Sequence, residues 1–426
     1  MRLVKLAKQL GSPTRIVAAE ELVYPDFRIR LPGFPSEEYE RRWLELFHNA
    51  GGHHERITRI GKHGGFMWAY YRGQRGQNLV FQNAVYKGSP VMDMWGPAAA
   101  TSPDVSHEVF TVDAVDAGIF NTTTAATVAV GGGMPHAQKL QLVDELVFAA
   151  SPDSWSWQHF NDRVVNMLLQ ARHMLTAGQS NAVFGRKVPA NKVHRHVLSA
   201  LLRQQPNASL GSMLVSGQLL FARRFVHTLR TPLIHPWFNE HLHKVLQLPH
   251  KPLNQRKLVL YMSRAQKGSG ARNGGRNVVN EGELFDSIRN MLEQRGEGEQ
   301  LTQWNTQVHA ANWQNFSKTM ASVRAIVGPH GGALYAAPNT LLVESLPSTR
   351  FGVLFWEMLS IMRLNVHVLI TETVNAQHDM SADVPSIVRT LENELGKERE
   401  GATYLEHVYP WALAAASSLG TPISVA

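Results

Sequence analysis

The residues with the clearest chemical potential lie in the run His330-Gly331-Gly332-Ala333. A β-branched stretch before it ends in a Gly-Pro turn, and the histidine and paired glycines then open a predicted helix. Backbone N–H groups exposed at the start of a helix form an anion site. The pattern therefore favours phosphate, to which a His330 ring nitrogen could donate. A single histidine in a turn is more often structural, but the two adjacent glycines outweigh that alternative here.

Other side chains could complete this anion site. Arg264 and Ser263 directly follow a short apolar strand, and a guanidinium there can grip a diphosphate through two parallel hydrogen bonds. Glu344 interrupts an apolar strand, and a carboxylate at the end of a strand can accept hydrogen bonds from both hydroxyls of a ribose. The alternative is that Glu344 simply faces water. Arg272 and Arg276 could bind the same anion or be solvated loop residues.

A second polar group lies upstream, near the start of a long amphipathic helix predicted over residues 157–175. His159 or Asp162 could deprotonate an attacking hydroxyl, because that role needs a group whose pKa is near the working pH or tuned toward it. The structural alternative is that Asp162 or Asn161 caps the helix while His159 packs beneath it. The residues themselves leave both possibilities open.

The elements that must position these side chains alternate clearly in the second half of the chain. Helices separate apolar strands predicted at residues 257–262, 325–328, 341–346 and 365–370. Asn280 is predicted to cap the first of these helices, with Glu283 completing a capping box. Alternation of strand and helix indicates a parallel sheet covered on both faces. Ligands of such sheets bind at the carboxyl ends of the strands, where we expect Arg264, His330 and Glu344.

The first half of the chain is less regular. We predict strands at residues 108–112 and 127–130, and an apolar segment at 213–225. The polar stretch 249–256 contains two prolines and is the predicted linker between the halves. A chain of 426 residues exceeds what one core usually holds. We therefore predict an appended region over residues 1–100, one domain over 101–250 and another over 251–426.

Composition excludes several classes of function. The balance of 42 Lys+Arg against 34 Asp+Glu suits an acidic ligand, although a basic solubilising surface explains it equally. There is no dense basic block interleaved with aromatic residues, so nucleic acid is not an expected partner. Cysteine is absent, which excludes disulfides, thiolate metal sites and a cysteine nucleophile. No apolar run reaches the roughly 18 residues of a membrane span, so we expect no integral membrane segment.

Four motifs follow one another in the second half, namely Tyr261-Met262-Ser263-Arg264, Arg276-Asn277-Val278-Val279-Asn280-Glu281, Val327-Gly328-Pro329-His330-Gly331-Gly332-Ala333-Leu334 and Val343-Glu344. Together they resemble glycosyltransferase family 61, which includes plant xylosyltransferases and EGF-domain O-linked N-acetylglucosaminyltransferases. In the first half, Gln158-His159-Phe160-Asn161-Asp162 resembles the family's His-His-Phe-x-Asp helix start.

The resemblance implies an α/β fold of the GT-B type, with two Rossmann-like domains facing across a cleft. It also implies inverting transfer of a sugar, GlcNAc or a pentose such as xylose, from a UDP-sugar donor to a hydroxyl of a glycan or glycoprotein acceptor. By this likeness, residues 251–426 bind the nucleotide sugar and residues 101–250 bind most of the acceptor.

The same resemblance implies roles for individual residues. Asp162 or His159 would act as the catalytic base. No cofactor or metal is expected, because GT-B enzymes usually stabilise the leaving diphosphate with side chains and a helix terminus. The residues expected to contact the donor are Ser263, Arg264, Asn280, His330, Gly331, Gly332, Ala333 and Glu344.

This chain also departs from the family pattern. The usual run is His-Gly-Ala-Gly-Leu-Thr, whereas here Gly332-Ala333-Leu334-Tyr335 follows Gly331, and Gln158 replaces the first histidine of the helix motif. The alternative function is therefore a catalytically degenerate protein that binds a nucleotide or glycan without turnover. The family resemblance implies the Golgi or ER lumen, while the lack of a visible signal or anchor leaves the cytoplasm as the alternative.

Overall fold

The computed structural model describes residues 15–50, 56–88, 107–110, 141–149, 157–183, 191–204, 219–229, 231–265, 275–331 and 339–405. Its strands, in chain order, are β1 (Arg15–Tyr24), β2 (Phe27–Arg30), β3 (Ile57–His63), β4 (Phe66–Tyr71), β5 (Gln74–Gly88), β6 (His107–Phe110), β7 (Gln141–Phe148), β8 (Ser180–Val183), β9 (Leu219–Leu229), β10 (Leu258–Tyr261), β11 (Gln300–Gln303), β12 (Val323–Pro329), β13 (Leu341–Pro347), β14 (Asn365–Thr371) and β15 (Ala402–Tyr404). Its α-helices are α1 (Glu37–Asn49), α2 (Trp157–His159), α3 (Val165–Ala171), α4 (Lys192–Leu201), α5 (Pro236–Leu246), α6 (Glu281–Arg295), α7 (Thr306–His309), α8 (Trp313–Ser322), α9 (Val353–Ile361) and α10 (Val384–Glu394).

The chain forms two compact units that interleave along the sequence. Unit 1 comprises Met1–Tyr24, Gln74–Leu233 and Tyr409–Ala426, and unit 2 comprises Pro25–Gly73 and Ile234–Val408. Residues on both sides of the stretch 249–256 lie in unit 2. The division into an appended region (1–100), an acceptor domain (101–250) and a nucleotide-sugar domain (251–426) stays a prediction.

Unit 2 contains the parallel sheet that the alternation of strand and helix predicts. Its strands lie in the order β11-β10-β12-β13-β14, and each neighbouring pair is parallel. Strands β12, β13 and β14 are buried along their whole length, as expected when helices cover both faces of a sheet. The predicted α/β class is therefore confirmed for this unit.

Side chains of β12 alternate between two apolar cores, one on each face of this sheet. Ile326 packs in a core that includes Leu359 of α9. Its neighbour Val327 packs in the other core, which includes Ile288 of α6 and Ile387 of α10. Successive side chains of β12 therefore enter opposite cores.

Unit 2 also contains a four-stranded antiparallel sheet, in the order β15-β2-β4-β3, which the sequence did not reveal. Phe27 and Ile29 of β2 share a core with Trp43 of α1. Beyond β2, Gly33 bonds to the edge of the parallel sheet: its N–H donates to Val366 over 2.8 Å and its carbonyl accepts from Val368 over 3.0 Å. Residues early in the chain therefore complete a unit whose parallel strands come much later.

Unit 1 is built on a mixed sheet with the order β1-β5-β9-β7-β8, to which β6 adds beside β5. Pairing is antiparallel from β1 through β5 to β9 and parallel from β9 through β7 to β8. The parallel arrangement implied by a Rossmann-like domain is thus limited, among the described strands, to β9, β7 and β8. The predicted strand at 108–112 corresponds to β6, and the one at 127–130 lies outside the described residues.

A fully buried carboxyl group lies on α9 of unit 2. Glu357 is 0% exposed and accepts a hydrogen bond of 2.6 Å from the Tyr71 hydroxyl. Arg56 Nη1 lies 3.7 Å from its other oxygen. Burial outweighs these two favourable contacts and raises the pKa of Glu357 from 4.5 to about 7.

We expect Glu357→Gln to gain stability relative to the wild type as the pH rises. The raised pKa means that the folded protein binds this proton more tightly than the unfolded chain does. The stabilising contribution of protonated Glu357 is therefore fully present below about pH 4.5 and is lost as the pH rises through about pH 7. Glutamine does not titrate, so the relative gain in the free energy of unfolding should reach about 3 kcal/mol. Urea unfolding at pH 5 and pH 8 measures it. The control is Glu38→Gln on the exposed surface of α1; parallel pH profiles for Glu357→Gln and the wild type would contradict the prediction.

Candidate active site

The carboxyl ends of β10 and β12 bring predicted site residues together in unit 2. The two strands are parallel neighbours, so Ser263 and Arg264 leave the sheet beside His330 and Gly331. A Cβ atom added to Gly331 would lie 3.0 Å from Arg264 Nη1. The guanidinium therefore lies against the Gly331 backbone. Gly332 and Ala333 lie outside the described residues.

His330 contacts Glu344 directly. Its Nδ1 lies 2.6 Å from Glu344 Oε1, and the ring meets Phe355 edge-on at a centroid distance of 4.7 Å. A carboxylate accepting from Nδ1–H fixes the tautomer and the orientation of the imidazole. His330 is thus held in place on one side, and its Nε2 is the nitrogen left for a ligand.

Glu344 does not lie at the end of its strand, contrary to our expectation. It is opposite Gly328 in the middle of β13, because that strand continues through Pro347. Its side chain is 2% exposed. The structure therefore gives Glu344 a contact behind His330, and its contact with a ribose stays a prediction.

Several guanidinium groups lie near His330 and Glu344. Burial, followed by the nearby charge of Arg276, lowers the pKa of Arg264 to about 10. The pKa of Arg276 is itself lowered by burial and by Arg350, while Glu344 opposes the shift. Among the described residues, neither Arg276 nor Arg350 forms a salt bridge. Cations that repel one another in a partly buried place favour binding of an anion.

The loop after the undescribed residues 266–274 is fastened to the segment that precedes α10. Arg264 Nε donates to the Gly275 carbonyl over 2.9 Å. Both the backbone N–H and the side-chain amide of Asn277 donate to Asp379 Oδ1, over 2.8 and 2.9 Å. These bonds fix the position of residues 275–277, which include Arg276, relative to Arg264.

Asn280, three residues after Asn277, fastens the same loop. Its Oδ1 accepts from the Ala382 N–H over 2.8 Å, and its Nδ2 donates to the Ala382 carbonyl over 3.0 Å. Although Asn280 occupies the N-cap position of α6, its side chain makes no capping bond to the helix. The predicted capping box is therefore wrong, because the peptide of Ala382 competes for the same side-chain oxygen. A contact between Asn280 and the donor stays a prediction.

We expect Gly275→Ala to reduce the free energy of unfolding by about 2–4 kcal/mol. Gly275 has a φ of +81°, and an added Cβ would lie 1.9 Å from the Gln377 carbonyl oxygen. Relief of this clash must move backbone that holds Arg264. The matched control is Gly282→Ala in α6, where an added Cβ meets nothing within 4 Å and alanine favours the helix. Urea denaturation compares the two variants, and equal stability would contradict the prediction.

The second predicted group, in unit 1, lies on an interrupted helix. The helical stretch predicted as continuous contains a π-helical turn, Phe160–Val164, between α2 and α3, and ends in a 3-10 turn, Arg172–Met174. Asp162 lies inside the π turn and is 1% exposed. Turns of this kind occur frequently at functional sites. The capping alternative is wrong for Asp162 and Asn161, because the helix begins earlier, at Trp157.

Asp162 is a buried carboxyl group with incomplete bonding. His159 Nδ1 lies 3.4 Å from its Oδ2, and Arg163 Nε lies 3.8 Å from its Oδ1. Neither oxygen has a hydrogen-bond partner within the described part of the chain. Buried polar atoms without partners are rare and call for an explanation such as a catalytic role. The structure thus brings the two predicted base residues together.

Two residues near these groups were missed by sequence reasoning. His194 of α4 is 5% exposed and packs between Trp157 and Phe160, at centroid distances of 5.0 and 4.9 Å. Arg350 lies in a short 3-10 turn after β13. His194 belongs to an amphipathic helix that also contains Lys192, Arg195 and His196, and Arg350 is a single loop arginine. Neither residue has a distinctive spacing, so only the tertiary structure identifies them.

The described residues lack two kinds of feature. They contain no group of three or more histidine and acidic side chains placed to hold a metal ion. Nor does any of their helices combine the length and apolar composition needed to cross a membrane.

Comparison with known families gives one match. Residues 140–340 match the family model described as Glycosyltransferase 61. The matched region contains the Asp162 and Arg264 groups and His330, and it ends just before β13. A comparison with curated proteins finds no match. Residues 140–340 therefore form a glycosyltransferase family 61 domain, and such a domain belongs to an enzyme that takes a sugar donor and a glycan acceptor.

Proposed function

We propose that this glycosyltransferase moves a sugar, GlcNAc or a pentose such as xylose, from a UDP-sugar to a hydroxyl of a glycan or glycoprotein acceptor, with inversion at the anomeric carbon. The observation that carries the proposal is the guanidinium cluster of Arg264, Arg276 and Arg350 beside His330, at the carboxyl edge of a parallel sheet. Nucleotide ligands of such sheets bind at this edge.

The cluster suits a leaving diphosphate. As the bond to the sugar breaks, negative charge develops on the diphosphate oxygens, and preorganised donors there lower the barrier most. In the free enzyme burial, and then the charge of Arg276, lower the pKa of Arg264, and the negative charge of a bound diphosphate would offset both effects. Side chains can therefore supply the positive charge, and we propose transfer without a metal or other cofactor.

His330 is proposed as a further donor to the diphosphate. When the ring is protonated, Nδ1–H donates to Glu344 and Nε2–H can donate to a phosphate oxygen. Because Glu344 is almost fully buried, its main role in this proposal is to orient His330. Ser263, Asn280 and the backbone of Gly331, Gly332 and Ala333 complete the proposed donor site.

Inversion requires a single displacement in which a base removes the proton of the acceptor hydroxyl. We propose Asp162 as that base, supported by His159, because its carboxyl group is buried without described hydrogen-bond partners and lies beside an imidazole. The proposal extends to a GT-B architecture, with the nucleotide sugar on unit 2 and the acceptor on unit 1. The Rossmann-like parallel sheet of unit 2 supports the first part of that assignment.

Calorimetric titration tests the donor assignment. UDP should bind, and UMP should bind at least tenfold more weakly because it lacks the second phosphate; no binding of UDP would overturn the proposal. Release of UDP from UDP-GlcNAc, UDP-xylose and UDP-arabinose then identifies the sugar. Release should persist in EDTA, and its complete loss there would show that transfer needs a metal.

A further inference from the structure

A cavity in unit 2 is lined by His367 of β14. It has a volume of about 360 Å³, and its walls include Arg30, Gly33, Phe66, His367, Glu394 and Arg399. A smaller cavity of about 90 Å³ shares His367 and Glu394 as lining residues. All the residues that line these two cavities lie within the described part of the chain.

This cavity is separate from the diphosphate site. Glu344 is two residues from both Leu342 and Leu346 in β13 and so shares their face of the sheet, the face of the core on the α9 side. His367 is two residues from Leu369 in β14 and so shares the other face, that of the core on the α6 and α10 side. Since successive strand residues point to opposite faces, Glu344 and His367 face opposite sides of the sheet.

The imidazole of His367 is buried without hydrogen bonds. The residue is 8% exposed, and neither ring nitrogen has a hydrogen-bond partner among the described residues. The nearest carboxylate oxygen, Oε2 of Glu394, lies 3.7 Å from Nε2, which is too far for a hydrogen bond. Burial lowers the pKa of His367 although the carboxylate of Glu394 opposes the shift, so the neutral ring is favoured at pH 7 and offers one donor and one acceptor.

The position of this ring depends on Gly33. A Cβ atom at Gly33 would lie between 2.2 and 2.7 Å from the ring atoms of His367. The glycine therefore lets the ring lie against the backbone at the wall of the cavity. Burying a ring with unsatisfied nitrogens is unfavourable, and a ligand in the cavity would supply the missing bonds.

The charged walls of the larger cavity are balanced. They contain three cationic and three carboxylate side chains, namely Arg30, Lys62, Arg399, Glu37, Glu40 and Glu394. Arg399 donates to both oxygens of Glu394, over 2.9 and 2.7 Å. Arg30 donates to Asn365 Oδ1. The walls thus present fixed donors and acceptors without a net charge that would select an anion or a cation.

An aromatic ring completes the wall. Phe66 is 41% exposed, and the guanidinium groups of Arg30 and Arg399 lie 5.2 and 5.6 Å from its centroid. Phe66 begins β4, next to the Gly64 and Gly65 turn. The ring therefore offers an apolar surface beside the polar groups.

We propose that this cavity binds a neutral saccharide. Hydroxyl groups both donate and accept, so a sugar can satisfy His367 and the balanced side chains together. The C–H face of a sugar ring can pack on Phe66. A volume of about 360 Å³ lies near the lower end of the roughly 300–1,000 Å³ of small-molecule sites, a size suited to a mono- or disaccharide. The inference does not depend on which nucleotide sugar is the donor.

Saturation-transfer NMR on the full chain tests the proposal, with free glucose, xylose and N-acetylglucosamine as probes in the millimolar range. At least one sugar should bind, and Phe66→Ala should weaken its binding about tenfold. Because Phe66 is partly exposed, this variant should fold. Val308→Ala, which removes an exposed apolar side chain of α7, should leave sugar binding unchanged. Affinity for UDP should be the same in all three proteins.

A second variant tests His367 itself. His367→Gln should also weaken sugar binding, and its melting temperature shows whether the buried substitution is tolerated. The proposal would be overturned if none of the three sugars binds, or if Phe66→Ala leaves sugar binding unchanged. Sulfate serves as the anionic probe; sulfate binding that depends on Phe66 would also overturn the proposed preference for a neutral saccharide. Since UDP is measured separately, failure of the donor assignment would not affect these outcomes.

Discussion

Asp162→Asn is expected to reduce the rate of sugar transfer by about 10²–10⁴-fold, the range for removal of a general base. Asparagine has nearly the same shape as aspartate but cannot accept the acceptor's proton. Affinity for UDP should be unchanged, because Asp162 belongs to unit 1 and the proposed donor residues belong to unit 2. Initial rates with the donor identified by UDP release, together with calorimetry, measure both quantities.

Stability separates this catalytic role from a structural one. Neither oxygen of Asp162 has a hydrogen-bond partner among the residues described, so Asp162→Asn should not lower the free energy of unfolding. Asp144→Asn is the matched control, since Asp144 is exposed on β7 and pairs with Arg223 at the surface; it should retain full activity. Normal transfer by Asp162→Asn, or a loss of activity that parallels unfolding, would contradict the assignment of the base.

Arg264→Ala should weaken UDP binding by about 10- to 100-fold, as expected for hydrogen bonds to a charged group. The variant removes the guanidinium that lies against Gly331 and its bond to the Gly275 carbonyl. Arg264→Lys should not restore affinity, because an ammonium group can reach a phosphate but cannot reproduce the planar fork or the Nε bond. Calorimetric titration with UDP compares the three proteins.

The control for this prediction is Arg289→Ala. Arg289 is half-exposed on α6 and pairs with Asp286, so its loss removes one positive charge from the same unit without touching the cluster. UMP provides a second comparison, because a contact at the diphosphate should affect UDP more than UMP. Unchanged UDP affinity in Arg264→Ala, or an equal loss in Arg289→Ala, would exclude a specific contact.

The parallel sheet of unit 2 could be predicted because its signals are local. Its strands β10, β12, β13 and β14 are short apolar runs, and the helices α6, α9 and α10 come after β10, β13 and β14 in the chain. Parallel pairing follows from that order. The proximity of Arg264 and His330 follows in turn, since both come directly after neighbouring strands. The contact between His330 and Glu344 could not be predicted, because it depends on the register that sets Gly328 opposite Glu344.

Other features depend on residues that are distant in sequence, and local periodicity does not report them. The antiparallel sheet of unit 2 joins β2 to β15, and the mixed sheet of unit 1 joins β5 to β9. The π turn that contains Asp162 has the same apolar spacing as an ordinary helix. Asn280 keeps a side-chain bond of 3.3 Å to its local partner Glu283, but its side-chain oxygen accepts from Ala382 instead of capping α6.

The pairing of β2 with β15 has a consequence for how the protein forms during synthesis. Phe27 lies opposite Tyr404, so the ribosome must reach Tyr404 before the antiparallel sheet of unit 2 can close. Until then β2 keeps an open edge, which is the kind of surface that pairs wrongly with other chains. Dependence on chaperones should therefore last until Tyr404 has been made. A fragment limited to the family-matched residues 140–340 would lack both strands of this pair.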